Sequence, residues 1–211
     1  MNTNQLKEML AFVADEIIQN KEYLGEIDAK IGDGDHGAGM ALGFMKAKEL
    51  LRAKEPKTIN ECFTTMGMSM IASMGGASGI VFGTMFSAGV KGLPPMQELG
   101  LAELAVIMKG SLASIKERGK AQVGDKTMVD ALSPAVDALL SSAQNGFAMT
   151  AGLCEAAEAA RLGVESTKPL IAKHGRAKSL MERAVGYQDA GATSVYLIFK
   201  AMFDWASANL S

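Results

Sequence analysis

The chain has 211 residues, 48% of them hydrophobic and 21% charged, with a formal net charge of −2. This length allows a substantial core, and the composition is ordinary for a globular protein. The small negative charge provides no general attraction for nucleic acid or for an anionic membrane, so neither is an expected partner.

Helical periodicity begins near the N-terminus and recurs along the chain. Apolar residues repeat at steps of three and four positions, the spacing of one buried helix face. Such stretches cover residues 6–17, 40–51, 62–74 and 101–115. Thr58 and Glu61 predict a capping box at the start of the third stretch. An Ala-rich helix is expected from Thr150, and a closing helix from Ala192 to about Leu210.

The same pattern predicts the fold class. No segment alternates apolar and polar residues in the way a half-buried strand would. About eight helices are expected, joined by short turns that contain Gly or Pro. No composition shift or long linker marks a boundary. The sequence therefore predicts one all-α domain over residues 1–211, with antiparallel helices around a common core.

Cysteine usage and the N-terminus bear on the cellular compartment. Cys62 and Cys154 are far apart and lack zinc-ligand spacing, which is typical of two buried thiols in a reducing cytosol. The N-terminal segment has no basic start before an apolar run, so no signal peptide is expected. The apolar run at residues 79–90 is shorter than the ~20 residues of a spanning helix. We expect a cytoplasmic protein.

The stretch K-I-G-D-G-D-H-G, residues 30–37, matches the G-x-G-x-x-G spacing of a dinucleotide-binding loop. That fingerprint requires a buried strand before its first Gly. The preceding Y-L-G-E-I-D-A-K-I is charged where such a strand would be apolar. The match is therefore a coincidence of spacing.

Three carboxylates in this stretch allow two interpretations. Asp28, Asp33 and Asp35 could hold two Mg²⁺ ions, each completed by polyphosphate oxygens, because Mg²⁺ prefers hard oxygen ligands. They could equally form a solvated acidic turn that caps the helix beginning near His36. The imidazole of His36 could donate to a phosphate oxygen or be structural.

Four further polar glycine loops follow. Residues 73–79 could form an anion site at the head of a helix, or simply allow close helix packing. Residues 118–128 and 173–179 combine Gly with Lys or Arg, as phosphate contacts and solvated helix ends both do. Residues 186–194 lead into the last helix. If the helices alternate in direction, alternate loops gather at one end and could build a site there.

Four motifs carry a family resemblance: I-G-D-G-D-H-G, G-G-A-S-G-I-V-F-G-T, R-G-K-A-Q-V-G-D-K-T-M and G-R-A-K-S-L-M-E-R-A-V-G-Y-Q-D-A-G-A-T-S. In this order, and spread over nearly the whole chain, they resemble the nucleotide-binding L-subunit (DhaL) family of bacterial dihydroxyacetone kinases. The resemblance implies a barrel of eight helices with a nucleotide, ADP or ATP, and two Mg²⁺ ions at one end.

The resemblance also implies site residues. Asp28, Asp33 and Asp35 match the family's metal ligands. The implied nucleotide contacts are His36, Gly37, Ala38, Gly39, Ala77, Ser78, Gly119, Met128, Arg176, Asp189, Ala190 and Gly191. Of these, the first six lie against the phosphates, the next two border the nucleoside, Arg176 contacts the nucleotide, and the last three close the site. Ala190 is a departure, since the family commonly has Pro there.

The function implied is a phosphoryl relay. The helical pattern begins at the N-terminus and we expect no substrate-binding domain ahead of it, so the chain resembles the phosphotransferase-system form of the kinase, in which ADP stays bound as a cofactor. A histidine phosphocarrier subunit converts it to ATP, and the γ-phosphoryl passes to dihydroxyacetone on a separate substrate-binding subunit. The metals neutralise phosphate charge in both transfers. No catalytic residue is assigned to this chain.

Two other functions use the same loops. One is a subunit of a conventional kinase, in which ADP leaves and ATP enters in each cycle. The other is a non-catalytic nucleotide-binding regulator that docks to another protein, such as a transcription regulator. The nucleotide exchange rate separates the first from the relay. The second predicts partner binding that depends on the nucleotide held, with no transfer to a triose.

Overall fold

The computed structural model describes residues 1–210, in which helices supply all of the regular structure. The α-helices are α1 (Thr3–Gln19), α2 (Lys21–Ile31), α3 (His36–Lys54), α4 (Ile59–Ser73), α5 (Gly76–Ser87), α6 (Leu101–Gly119), α7 (Val129–Gln144), α8 (Met149–Ser166) and α9 (Ala190–Asn209). A 3₁₀ helix, Arg176–Ala184, lies between α8 and α9. Over residues 1–210 there is no β-strand, so the predicted all-α class is confirmed.

The apolar periodicity becomes buried helix faces. Leu6, Leu10 and Val13 of α1 are wholly buried, as expected from their spacing. On α4 the predicted face is buried except at Ile71, which lies at the edge of the face and is 37% exposed. Cys154 of α8 is also exposed, contrary to the expectation of two buried thiols, because it points away from the buried face of its helix.

Helix caps follow the sequence closely. The side chain of Asn2 accepts from the N–H of Gln5, and Gln5 returns the bond, which forms a capping box at α1. The Thr58 hydroxyl caps α4 by accepting from the N–H of Glu61 at 3.1 Å. The Glu61 carboxylate accepts from the N–H of Lys57 rather than from Thr58, so this capping box is shifted by one residue.

The helices close into a ring. α1 and α2 together make one pass, broken at Asn20, and α3 to α9 make seven more. From α3 onward each helix packs against the next, and α1 packs against both α3 and α9, which closes a barrel. One continuous hydrophobic core fills it, with Phe44 and Phe86 meeting edge to face at 5.9 Å. The expected number of about eight helices corresponds to these eight passes.

Hydrogen bonds identify the two ends of the barrel. The backbone groups of Met1 and Leu99 bond to each other at 2.8 Å, and the Ile59 N–H donates to the Met96 carbonyl at 2.9 Å. The starts of α1, α4 and α6 therefore share one end. Each helix from α3 onward packs against the next and the chain reverses between them, so α3, α5, α7 and α9 all begin at the other end. No helix in residues 1–210 is long and apolar enough to cross a membrane.

Candidate functional site

The three aspartates come together at the end where α3 begins. Asp28 lies in the last turn of α2, and Asp33 and Asp35 lie in the loop before α3. One carboxylate oxygen from each lies within 4.8 Å of the other two. The loop turns sharply at Gly34, whose φ of +77° is strained for any residue with a side chain. The sequence alone did not decide whether the three carboxylates come close enough together to share a metal ion.

The electrostatics of the cluster fit a bound cation. Loss of solvation raises the pKa of Asp35, and the negative charges of Asp33 and Asp28 raise that pKa further. Arg176 offsets part of this repulsion, with its Nε 2.8 Å from Oδ2 of Asp33. Three hard oxygen donors in one small space are the ligand set that Mg²⁺ prefers. Asp35 occupies the N-cap of α3 but makes no side-chain capping bond, and only Asp28 accepts an N–H from the start of α3, so capping alone does not account for the three carboxylates.

His36 is engaged with the protein itself. Its Nε2 lies 2.8 Å from the Ser194 hydroxyl, and its ring centroid is 6.0 Å from that of Phe82. Burial lowers the pKa of the imidazole, so the ring is neutral. Its backbone N–H donates to Asp28 at 3.3 Å. The side chain therefore joins α3 to α9 and packs against α5.

The start of α3 packs against α2. A Cβ at Gly37 would collide with the backbone of Lys21, so only Gly permits this approach. The next position, Ala38, is exposed, and Gly39 has open space where a side chain would be. Because the first N–H groups of a helix lack partners within it, this turn offers donors to an anion.

A second open helix start lies at α5. Gly75 occupies its N-cap without any side-chain capping bond, and Gly76 has a φ of +66°. No atom lies within 4 Å of the Cβ position at either glycine. Ala77 and Ser78 follow in the first turn of α5, so uncapped N–H groups and one hydroxyl are available to a ligand.

The starts of α7 and α9 are adjacent. A Cβ at Gly191 would lie 3.4 Å from Cβ of Met128, the residue at the N-cap of α7. The loop before Met128 is folded by Asp130, which accepts from the N–H groups of Gly124 at 2.6 Å and Thr127 at 2.7 Å. Four helix starts thus face one end of the barrel, and each carries a partial positive charge.

Gly119 and the closing turn complete the predicted set. Gly119 ends α6 at this end of the barrel, with open space at its Cβ position. Asp189 caps α9 by accepting from the N–H of Ala192 at 2.7 Å. Ala190 is the first residue of α9, a position that suits Pro because its N–H has no helical partner. Ala at this position therefore keeps the helix start that a Pro would give.

The pKa of Asp189 is raised to about 7, mainly by burial and in part by the negative charges of Asp130 and Asp28. The N–H of Ala192 and the positive charge of Lys126 act in the opposite direction. The closing turn of the site therefore contains a carboxyl group that titrates near neutral pH.

Arg176 belongs to a long connection that we call the flap, residues 168–186. The N–H of Gly186 donates to the Lys168 carbonyl at 2.8 Å, so the ends of the flap are held together. Within the flap, Ala172, Ala177 and Ala184 form a small cluster with Ile31 of α2. The general expectation of short turns between helices does not hold here, because the chain builds a flap that reaches the aspartate loop through Arg176.

Sequence reasoning missed several residues that shape this end. Ser194 gave no signal beyond a small polar residue in a helix. Lys126 lies in a polar loop, yet it is 1% exposed and donates to the carbonyls of Thr167 and Tyr187. Asp125 pairs with Lys173 of the flap, with Nζ and Oδ1 2.7 Å apart. These contacts join distant segments, so local sequence patterns do not indicate them.

Comparison with known proteins finds similarity over nearly the whole chain. The family model described as DAK2 domain matches residues 30–204. The ADP-binding subunit DhaL of the PEP-dependent dihydroxyacetone kinase of Escherichia coli (strain K12) is 36% identical over 202 residues, 96% of each chain. The ADP-binding subunit DhaL of PEP-dependent dihydroxyacetone kinase 1 of Listeria innocua is 38% identical over 184 residues, 87% of each chain.

A solved structure shares the fold. The dihydroxyacetone kinase from C. freundii, in complex with AMP-PNP and Mg²⁺, aligns with a TM-score of 0.75 and 27% sequence identity. The alignment covers 97% of this chain and 34% of that one, so the chain spans about a third of the solved kinase.

Proposed function

The chain belongs to the DAK2-domain family, and we propose that it is the ADP-binding subunit of a phosphoenolpyruvate-dependent dihydroxyacetone kinase. The observation that carries the proposal is the clustering of Asp28, Asp33 and Asp35 among four helix starts. The similarity to the E. coli subunit over 96% of each chain supports it. In this proposal residues 1–211 form one nucleotide-binding domain.

The three aspartates hold two Mg²⁺ ions in this proposal. When bound, the ions neutralise negative charge on the β- and γ-phosphates, which is the main requirement of phosphoryl transfer. The repulsion that raises the pKa of Asp35 supports this role, since a divalent cation relieves it. The N–H groups at the starts of α3 and α5, including those of Ala38 and Ser78, bind the phosphate oxygens.

The remaining predicted residues enclose the nucleotide. Gly119 and Met128 border the nucleoside, and their positions at the end of α6 and the start of α7 support this assignment. Arg176 contacts the nucleotide from the flap, on the side of Asp33. The turn of Asp189, Ala190 and Gly191 closes the site beside Met128.

The reaction partners are other subunits. A histidine phosphocarrier subunit phosphorylates the resident ADP, and dihydroxyacetone on a substrate-binding subunit accepts the phosphoryl group. This chain contributes binding and charge stabilisation, and the groups that activate the substrate belong to the substrate-binding subunit. The proposal places the chain in the cytoplasm, where its unpaired Cys62 and Cys154 remain reduced.

The names of the E. coli and Listeria relatives, both PEP-dependent and ADP-binding, favour the relay over a conventional ATP-consuming subunit. A transcription regulator is a further candidate partner, one that would recognise the nucleotide-loaded end of the barrel.

Transfer of labelled phosphoryl tests the proposal directly. The chain, loaded with ADP and Mg²⁺, is mixed with a phosphocarrier labelled on its histidine, and the bound nucleotide is extracted. We expect label in ATP, and then in dihydroxyacetone phosphate once the substrate-binding subunit and dihydroxyacetone are added. Label that never reaches the nucleotide would overturn the relay. Transfer to dihydroxyacetone from free ATP alone would instead assign a conventional kinase subunit.

A further inference from the structure

Lys126 is a buried cation outside the predicted site residues. Its side chain is 1% exposed, and its backbone has a φ of +58°, unusual for a residue with a side chain. The ammonium donates to the carbonyls of Thr167 at 2.7 Å and Tyr187 at 2.5 Å. These residues flank the flap, one immediately before it and one immediately after it.

Burial lowers the pKa of Lys126, and the groups around its ammonium offset only part of that penalty. Thr167 is the C-cap of α8, where the helix dipole leaves partial negative charge on the last carbonyls. The carboxylates of Asp189 and Asp130 add negative charge nearby. Burying a charge costs free energy unless it is paired and hydrogen-bonded. An apolar side chain would fill the space without that cost, but it would not bind the two carbonyls.

The two segments next to Lys126, the flap and the closing turn at Asp189, both carry predicted site residues. On one side, the flap carries Arg176, which reaches Asp33. On the other, the N–H of Asp189 donates to the Thr167 hydroxyl at 3.0 Å, just where α9 begins. Lys126 therefore binds the two residues, Thr167 and Tyr187, between which the flap extends, and Thr167 in turn binds the closing turn at Asp189.

We propose that Lys126 is a positioning residue that fastens the base of the flap, and so holds Arg176 and the Asp189–Gly191 turn over the nucleotide. The proposal that Lys126 fastens the flap rests on its hydrogen bonds to Thr167 and Tyr187. The effect on nucleotide binding rests on the proposed function. Lys126 does not act on the reacting phosphoryl group.

Hydrogen exchange on the nucleotide-free protein tests the fastening. In Lys126→Met, which keeps most of the side-chain length and removes the charge, we expect faster exchange in residues 168–188 and unchanged exchange in α1, α3 and α4. Lys48→Met is the matched control, since Lys48 is a partly buried cation paired with Asp15 and distant from the flap. It should leave flap exchange unchanged.

Nucleotide kinetics test the consequence. In Mg²⁺ buffer, ADP should dissociate from Lys126→Met on the order of tenfold to hundredfold faster than from the wild type. Transfer from nucleotide already bound should change by less than about threefold, because positioning of the flap affects retention more than the chemical step. If Lys126→Met fails to fold, Lys126→Gln, which retains two N–H donors, should give the same selective changes to a smaller extent.

Unchanged flap exchange in either folded variant would overturn the proposal. Faster exchange throughout the barrel would also overturn it, because Lys126 would then be a general stabilising residue. If the wild type itself binds no ADP, the proposed function fails, while the exchange experiment still decides whether Lys126 fastens the flap.

Discussion

Nε2 of His36 lies 2.8 Å from the hydroxyl oxygen of Ser194, and both side chains are buried. The contact joins the first turn of α3 to the first turns of α9, although the two residues are 158 positions apart. Because burial keeps the imidazole neutral, the bond is an ordinary hydrogen bond and not an ion pair. It fixes two of the four helix starts that surround the aspartates.

Ser194→Ala should destabilise the barrel. The substitution leaves a buried imidazole nitrogen without its partner, which costs about 1–3 kcal/mol in free energy of unfolding. Urea denaturation of the nucleotide-free protein measures this. Ser207→Ala is the control, because Ser207 is an exposed serine of the same helix, and its effect should stay within about 0.5 kcal/mol. Equal midpoints for the two variants would contradict the role given to the His36–Ser194 bond.

Asp35→Asn should abolish nucleotide retention and phosphoryl transfer. The variant removes one negative charge from a cluster whose oxygens lie within 4.8 Å of one another, and so weakens the metal site. Bound ADP is measured after gel filtration in Mg²⁺ buffer. Asp137→Asn, at an exposed position on α7, should retain ADP as the wild type does. Wild-type retention by Asp35→Asn would count against a metal-ligand role.

Arg176→Ala should weaken ADP binding by about tenfold, because the guanidinium is a cation beside the aspartate loop and a donor to phosphate. Arg161→Ala is a matched control, since Arg161 forms a similar pair with Glu158 on the exposed face of α8, with the atoms 2.7 Å apart. Titration with ADP in Mg²⁺ buffer compares them. Equal affinities in both variants would remove Arg176 from the site.

Asp189→Asn should change how stability depends on pH. Its folded-state pKa of about 7 lies above the ordinary 3.8, so the folded protein binds this proton more tightly than the unfolded chain does. The resulting stabilisation is complete below pH 3.8 and is lost as pH rises through about 7. Asn can still cap α9 but does not titrate.

The nucleotide-free variant should therefore gain stability relative to the wild type between pH 5 and pH 8, by roughly 1–3 kcal/mol. Urea titrations at both pH values measure the difference. A stability difference between variant and wild type that is the same at both pH values would show that Asp189 does not titrate in this range.

Local periodicity was sufficient to predict most of the barrel. The stripe from Leu101 and the closing helix after Ala192 both form, because their apolar faces have no competing signal. The break at Asn20 was not predicted, since residues on both sides of it favour helix. The exposure of Cys154 was missed because small residues surround it and give no clear buried face.

For the candidate site, the sequence indicated only those residues that lie in or next to the four recognised motifs. The aspartates, Arg176 and the helix-start glycines lie in recognisable loops, and the sequence could place them at one end once the helices alternated. The burial of Lys126 was missed because it depends on carbonyls of Thr167 and Tyr187, 41 and 61 positions away. A lysine in a polar loop is ordinarily exposed, and only the folded flap makes this one internal.

The central claim is that ADP is a resident cofactor of this chain. The most direct measurement is to purify the protein in Mg²⁺ buffer without added nucleotide, dialyse it extensively, denature it and identify what is released. We predict one equivalent of ADP per chain. A protein that is empty after purification, and that binds and exchanges ATP freely, would contradict the relay and leave an ordinary kinase subunit.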